Sequence, residues 1–162
     1  MSIEKALLGA GCFWGVDKIL RSIPGIIKTE VGYAGGTTKN PSYEEVCTGQ
    51  TDHAEVVLID FDSKVISYKE VLNVFFRLHD PTTLNRQHND VGSQYRSVIF
   101  TYNEDQRREA LESIQKLEEA HTFKNPIVTQ VIQAPEYFSA EAYHQDYLLK
   151  NPHGYMCHVL RD

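Results

Sequence analysis

A cysteine near the N-terminus stands where a thiol can act as a nucleophile. Cys12 follows an apolar run at residues 6–10 and lies between Gly11 and Gly15, which allow the backbone to turn tightly. Residues 16–23 carry apolar side chains at the spacing of an amphipathic helix. We therefore predict Cys12 in the first turn of a helix entered from a strand. There, orphan N–H groups and the helix dipole favour the thiolate over the thiol.

Two large aromatic residues come directly after this cysteine. Phe13 and Trp14 would by default be core residues. Beside a nucleophile, however, the two rings can also form an apolar pocket for a small alkyl or thioether group, since such a pocket needs contact area rather than hydrogen bonds.

Glu55 is a second unusual residue, because it begins an otherwise apolar strand at residues 53–59. The carboxyl group lies either at an exposed strand end or in a partly buried place. Burial would raise its pKa and leave it protonated near neutral pH, where it can donate a proton to a developing oxygen. Tyr43 and Tyr95 lie in neighbouring loops. A tyrosine in a loop is commonly a half-buried packing residue, but its phenol is also a suitable donor to an oxyanion.

The remaining candidate residues are in polar segments. Asp90 belongs to a long polar stretch, residues 82–94, that has no helical or strand period, and such a loop in a compact domain is usually functional. Cys157 is in a C-terminal tail with little core pattern, from which a thiol can reach another sulfur. Cys12, Cys47 and Cys157 form no C-x-x-C pair, which indicates reactive or buried thiols rather than structural disulfides.

The sequence predicts no metal and no cofactor. Cys157 with His153 and His158 lacks the paired spacing of zinc ligands. The glycines at positions 32, 35 and 36 do not form a dinucleotide fingerprint, and a P-loop is absent.

The elements that must position these residues follow from the hydrophobic pattern. Ser67 and Glu70 form a capping box at the start of the second helix, which Asp80 and Pro81 end. We predict strands at 3–9, 26–33, 53–61, 96–102 and 128–132, and helices at 13–22, from 67, from 103 and at 141–150.

This order predicts an α+β fold with a ferredoxin-like, split-βαβ, two-layer core and C-terminal additions. A doubly wound parallel sheet is less favoured, because no helix is evident between the strands at 26–33 and 53–61. The length of 162 residues predicts one domain, residues 1–162.

Charge and hydropathy argue against nucleic-acid-binding, membrane-bound and secreted proteins. The net charge is −6 without any basic block, so nucleic acid and anionic membrane surfaces are not expected partners. No apolar run approaches the length of a membrane span, and the N-terminus does not have the pattern of a signal peptide. We therefore expect a cytoplasmic protein.

Several motifs together resemble the class A peptide methionine sulfoxide reductases, and they follow one another in family order over nearly the whole chain. The motif around Cys12 resembles the GCFWG signature of that family. The others are GYAGG at 32–36, PSYEEVC at 41–47, HAEVV at 53–57, DVGSQYRS at 90–97 and AYHQDY at 142–147.

The resemblance implies a role for each candidate residue. Cys12 would attack the sulfoxide sulfur, and Phe13, Trp14 and Tyr95 would bound the pocket for the substrate's methyl group. Glu55, with Tyr43 and Tyr95, would hydrogen-bond and protonate the sulfoxide oxygen. Asp90 would help to arrange the site.

The resemblance also implies the substrate and the reductant. The family reduces the S epimer of methionine sulfoxide, in oxidised proteins and peptides or as the free amino acid, through a cysteine sulfenic acid. Cys157 would resolve the sulfenic acid as a disulfide with Cys12, which thioredoxin would reduce. Cys47 is an alternative resolving thiol, although a buried loop thiol is the simpler interpretation.

Two other function classes are compatible with a nucleophilic cysteine. One is a Cys–His hydrolase or acyltransferase that pairs Cys12 with His53 or His144. The other is a binding module without turnover that holds a thioether or an oxidised methionine between Phe13 and Trp14.

Overall fold

The computed structural model describes residues 2–154, 156 and 158–161, and Cys157 therefore lies outside the described residues. The chain has a mixed α+β fold with a six-stranded sheet in the order β7-β6-β1-β3-β2-β8. The strands are β1 (Ile3–Ala10), β2 (Ile26–Ala34), β3 (Ala54–Asp62), β4 (Arg86–Gln87), β5 (Asp90–Val91), β6 (Ser97–Thr101), β7 (Gln130–Gln133) and β8 (Tyr137–Ser139). The helices are α1 (Phe13–Arg21), α2 (Tyr43–Cys47), α3 (Tyr68–Leu78), α4 (Glu104–Glu119) and α5 (Tyr147–Lys150).

The hydrophobic core lies between one face of this sheet and the helices α1, α3 and α4. Alternate residues of β1, such as Ala6 and Leu8, point into it and meet Phe13, Leu72 and Phe75, all of which are almost fully buried. The opposite face carries a smaller cluster that contains Leu7, Val56 and Phe100. Only the second half of β1, residues 6–10, is apolar on both faces, because both faces are covered there.

The helices α2 and α3 each begin with a capping box. The Ser67 hydroxyl accepts from the Glu70 amide, and the Glu70 carboxylate accepts from the Ser67 amide, so the predicted capping box is formed. Ser42 and Glu45 make an equivalent box at the start of α2. The sequence predicts at most one helical turn near 43–46, and the short helix α2 fits that expectation.

The structure differs from the predicted elements in three places, the first of which is the unpredicted edge strand β8, which pairs with β2. The polar stretch 82–94 contains a small hairpin of β4 and β5, followed by a 3₁₀ turn, Ser93–Tyr95. The predicted helix at 141–150 is divided into a 3₁₀ turn, Ala142–His144, and α5, because Asp146 adopts a left-handed conformation between them. Periodicity alone does not show such a break, since both halves keep apolar residues on one side.

The register of the central strands determines where the site lies. β1 and β3 are antiparallel, with Leu8 opposite Val57, so the end of β1 lies beside the start of β3. Gly9 lies against Glu55, since a Cβ at Gly9 would lie 3.2 Å from the Glu55 carbonyl oxygen. The carboxyl group of Glu55 therefore lies beside the turn that leads into α1. Within the part of the chain that the structure describes, no helix is both long and apolar enough to cross a membrane.

Candidate active site

Cys12 is the N-cap residue of α1, as the sequence predicts, and its side chain is 93% buried, with 7% exposed. The turn from β1 into α1 depends on Gly11, which has a φ of +92° and no room for a side chain, because Gln87 lies against it. The positive end of the α1 dipole lies at the sulfur of Cys12. The thiol is thus placed at a helix N-terminus, in an enclosed position.

Glu55 is held against the start of the same helix. Its Oε1 accepts a hydrogen bond of 3.1 Å from the backbone N–H of Phe13, the residue after the cysteine. Its Oε2 is buried and has no hydrogen-bond partner among the described residues. One oxygen of the carboxyl group therefore fixes its position, and the other remains available for a ligand.

Burial sets the protonation state of Glu55. Desolvation raises its pKa to about 8, while the hydrogen bond from Phe13 opposes that shift and the negative charge of Asp90 adds to it. At neutral pH the group is therefore mainly a neutral carboxylic acid. A neutral acid can donate a proton from its second oxygen, as the sequence reasoning requires.

Tyr43, Tyr95 and Asp90 lie around Glu55. Burial raises the pKa of the Tyr95 phenol, and the charges of Glu55, Asp90 and Cys12 raise it further. The pKa of the Tyr43 phenol is raised by burial, by a hydrogen bond with the Cys47 side chain and by the charge of Glu55. Electrostatic effects on the pKa values therefore connect Glu55 with Asp90, Tyr43 and Tyr95. Both phenols remain protonated near neutral pH and can donate.

An aromatic cluster lies beside the cysteine. The Trp14 ring stacks on Tyr147 at 3.9 Å between centroids, and its Nε1–H donates to His144 Nδ1 at 3.0 Å. The His144 ring also contacts Phe13 and Tyr43, with centroid distances of 5.3 and 4.3 Å. The two aromatic residues of the GCFWG motif are therefore held by rings from the C-terminal part of the chain.

Tyr147 is a site residue that the sequence did not single out, and His144 was considered only as the base of a Cys–His hydrolase. They belong to the AYHQDY motif, and that motif was the only signal that could have found them. Glu141, just before the motif, accepts from the Tyr33 hydroxyl at 3.0 Å and from the Tyr43 N–H at 2.9 Å. Its carboxylate therefore fixes the start of α2 against the sheet.

The C-terminal segment is attached to the molecule near the cysteine. His158 is 2% exposed, and its Nε2–H donates to the Ala10 carbonyl at 2.7 Å. Gly15 allows this approach, since a Cβ at that position would lie 2.6 Å from His158 Nδ1. Cys157, which precedes His158 in the sequence, lies outside the described residues. Cys47 is exposed at the end of α2.

The hydrogen bonds of the histidines do not favour a Cys–His hydrolase. His53 Nδ1 accepts from the Gly36 N–H at 3.0 Å, and His53 Nε2–H donates to the Thr38 carbonyl at 2.6 Å. His144 Nδ1 accepts from the Trp14 indole, and His144 Nε2 is buried without a hydrogen-bond partner among the described residues. Neither ring therefore holds a nitrogen on the Cys12 thiol as a general base would. Within residues 2–154, 156 and 158–161, no group of three His, Cys, Asp or Glu side chains could hold a metal ion.

Comparison with known proteins shows the family of the chain. Residues 4–162 match the family model described as peptide methionine sulfoxide reductase. The chain belongs to the class A peptide methionine sulfoxide reductases. The peptide methionine sulfoxide reductase MsrA of Methanothermobacter thermautotrophicus is 54% identical over 158 residues, which cover 98% of this chain and 93% of the relative.

Solved structures of the family have the same fold. Reduced Mxr1 from Saccharomyces cerevisiae superposes with a TM-score of 0.94 at 37% identity, covering 99% of this chain and 93% of that one. Mxr1 in complex with Trx2 superposes with a TM-score of 0.68 at 25% identity, covering 99% and 91% of the two chains. The family resemblance predicted from the motifs is therefore confirmed.

The raised pKa of Glu55 predicts a pH dependence of stability. The folded chain keeps the Glu55 proton up to about pH 8, whereas the unfolded chain releases it near the ordinary value of 4.5. Between these values the folded state binds more protons, so the free energy of unfolding falls as the pH rises. In Glu55→Gln this fall in the free energy of unfolding should be absent, because the amide does not titrate. Urea unfolding should show the variant gaining on wild type by several kcal/mol, on the order of 1.4 per pH unit, across that window.

The exposed carboxyl of Glu44 provides the matched control, because Glu44→Gln removes the same group from the surface. Its unfolding free energy should follow the wild-type pH curve. If the Glu55→Gln and wild-type curves are parallel from pH 4.5 to 8, Glu55 does not carry a raised pKa in the folded protein.

Proposed function

We propose that this chain reduces the S epimer of methionine sulfoxide, in oxidised proteins and peptides or as the free amino acid, with Cys12 as the nucleophile. The proposal depends on the buried carboxyl group of Glu55, which is hydrogen-bonded to the residue that follows Cys12 and whose pKa is raised by burial. A sulfoxide oxygen is a poor leaving group until it is protonated, so the reaction needs an acid beside a thiolate rather than a base.

The reaction follows from these two groups. The Cys12 thiolate attacks the sulfoxide sulfur while Glu55 gives its proton to the sulfoxide oxygen. The oxygen passes to Cys12, and methionine leaves. The substrate sulfur gains two electrons, Cys12 loses two, and Cys12 becomes a sulfenic acid. Tyr43 and Tyr95 donate hydrogen bonds to the oxygen as it becomes more basic, and Asp90 helps to arrange the site.

The substrate's methyl group binds against aromatic rings. Phe13, Trp14 and Tyr95 form the walls of its pocket in this proposal. The support for it is the fixed position of the Trp14 ring, which is held by the stacked ring of Tyr147 and by the hydrogen bond to His144. A rigid apolar wall selects a methyl group over water because the methyl group loses no hydrogen bonds when it binds.

Cys157 is the proposed resolving thiol. Its sulfur condenses with the Cys12 sulfenic acid, a disulfide forms and water leaves. The neighbouring residue His158 supports this assignment, since its bond to the Ala10 carbonyl brings the C-terminal segment to within two residues of Cys12. Thioredoxin then reduces the disulfide, and the solved complex of the relative Mxr1 with Trx2 supports that partner.

We further infer that residues 1–162 are a single catalytic domain with a ferredoxin-like, split-βαβ, two-layer core. The support is the order β6-β1-β3-β2, in which each neighbouring pair is antiparallel. β7, β8 and α5 are then the C-terminal additions. The net charge of −6 and the lack of a basic block support a cytoplasmic enzyme that binds neither nucleic acid nor membranes.

The activity is tested with the separate epimers of methionine sulfoxide and dithiothreitol as reductant. Wild type should convert the S epimer to methionine and leave the R epimer, and Cys12→Ser should form none because the nucleophile is lost. Cys47→Ser, which removes an exposed thiol, is the control and should retain most of the activity. If wild type binds the S epimer without forming methionine, the chain is a binding module and the proposal is wrong.

The recycling step is tested by one turnover without reductant, followed by peptide mapping. A disulfide between Cys12 and Cys157 should form in wild type. In Cys157→Ser, Cys12 should instead remain a sulfenic acid that dimedone can label. A bridge between Cys12 and Cys47 would show that the resolving thiol has been assigned to the wrong residue.

A further inference from the structure

A basic cavity lies between α3 and α4, and none of its lining residues belongs to the candidate active site. Its volume is about 570 Å³. Five of the 16 lysines and arginines of the chain line it, whereas aspartate and glutamate are absent from the described lining. The cations are Lys69, Arg77, Lys116, Lys124 and Arg161. Such a concentration of positive charge is unexpected in a chain whose net charge is −6.

The cavity also has apolar walls. Phe76, Leu117 and Phe123 contribute hydrocarbon surface to it. The guanidinium group of Arg161 lies 5.5 Å from the centroid of the Phe123 ring. A molecule in the cavity would therefore touch cations and apolar side chains at the same time, as an amphipathic anion requires.

Carboxylates of the protein neutralise this charge only in part. Lys69 lies 3.7 Å from Glu112, but both side chains are about half exposed, so the pair is weak. Within the part of the chain that the structure describes, the other four cations form no ion pair. Arg161 donates instead to the Phe76 carbonyl, at 2.5 Å, and Arg77 donates to the Arg161 carbonyl, at 2.6 Å.

The negative groups near the cavity neutralise only part of the charge of its five cations. Burial lowers the pKa of Arg161, the neighbouring charge of Arg77 lowers it further, and Asp80 opposes the shift. The C-terminal ends of α3 and α4 each carry roughly half a negative charge. With Asp80 and Glu112 they offset about three of the five positive charges. The described residues therefore leave the cavity positive.

We propose that this cavity binds a small amphipathic carboxylate, with its hydrocarbon part on Phe76, Leu117 and Phe123 and its carboxylate at Arg77 and Arg161. A volume of about 570 Å³ suits a small organic molecule. Guanidinium groups bind carboxylates through paired hydrogen bonds, and an inorganic anion would leave the apolar walls without contact.

Binding would also hold the C-terminal segment in place. Arg161 is three residues after His158, which is bonded to the Ala10 carbonyl near Cys12. The Arg161 N–H donates to the Arg77 carbonyl at 2.9 Å, so the segment already runs along the end of α3. A carboxylate bound to both arginines would add a further link between the segment and α3.

The proposal is tested by titrating the ¹⁵N-labelled full chain with decanoate below its micelle concentration. The amide signals of α3, α4 and residues 122–124 should shift in a saturable manner. Decanol supplies the hydrocarbon without the charge, and inorganic phosphate supplies charge without hydrocarbon. Both should shift the same signals much less. Equal effects of decanoate and decanol, or shifts spread over the whole surface, would overturn the proposal.

Charge reversal locates the binding site. Lys116 and Lys124 are exposed, so Lys116→Glu with Lys124→Glu should fold normally but weaken decanoate binding by about tenfold or more at low salt. The control reverses two exposed lysines outside the cavity, Lys18→Glu with Lys64→Glu, and has the same net charge. Equal affinities of the two double variants would show that the ligand binds elsewhere or responds only to total charge.

Discussion

The hydrogen bond from the Phe13 N–H to Glu55 is the interaction on which the site depends. It joins the first residue of α1 to the start of β3 and thereby fixes an acid beside the N-cap cysteine. The bond satisfies one of the amides left without a partner at a helix N-terminus. It also occupies one oxygen of a carboxyl group whose burial would otherwise be very costly. Burial is less unfavourable when the carboxyl group stays protonated and therefore uncharged. The reduction of a sulfoxide requires such a proton.

The C-terminal third of the chain completes the site that the N-terminal part begins. Gln145 bonds to both backbone groups of Val31, and Arg21 joins Asp17 to Asp146, so the segment before α5 is attached to β2 and α1. These attachments place His144 and Tyr147 on the Trp14 ring. The Trp14 ring beside Cys12 is therefore held by residues that are distant in the sequence.

Local patterns in the sequence were sufficient to predict the main strands and helices, but not the short strands β4, β5 and β8. The helical spacing after Cys12 and the capping box at Ser67 depend on neighbours in the chain, and the structure has both features. Glu55 was identifiable because a carboxyl group is rare in an apolar strand. The burial of Glu55 could not be predicted from local patterns, because it depends on the pairing of β1 with β3. The roles of Glu141 and His144 likewise depend on contacts over about a hundred residues, which periodicity does not report.

The central claim is that Glu55 is a neutral acid beside Cys12 at physiological pH. It is tested most directly by a ¹³C NMR titration of the glutamate side-chain carboxyl groups, with the Glu55 signal assigned from Glu55→Gln. The Glu55 carboxyl should titrate with a midpoint near pH 8, far above that of the exposed glutamates. A midpoint near the ordinary value of 4.5 would contradict the claim, because Glu55 would then be a carboxylate without a proton to give.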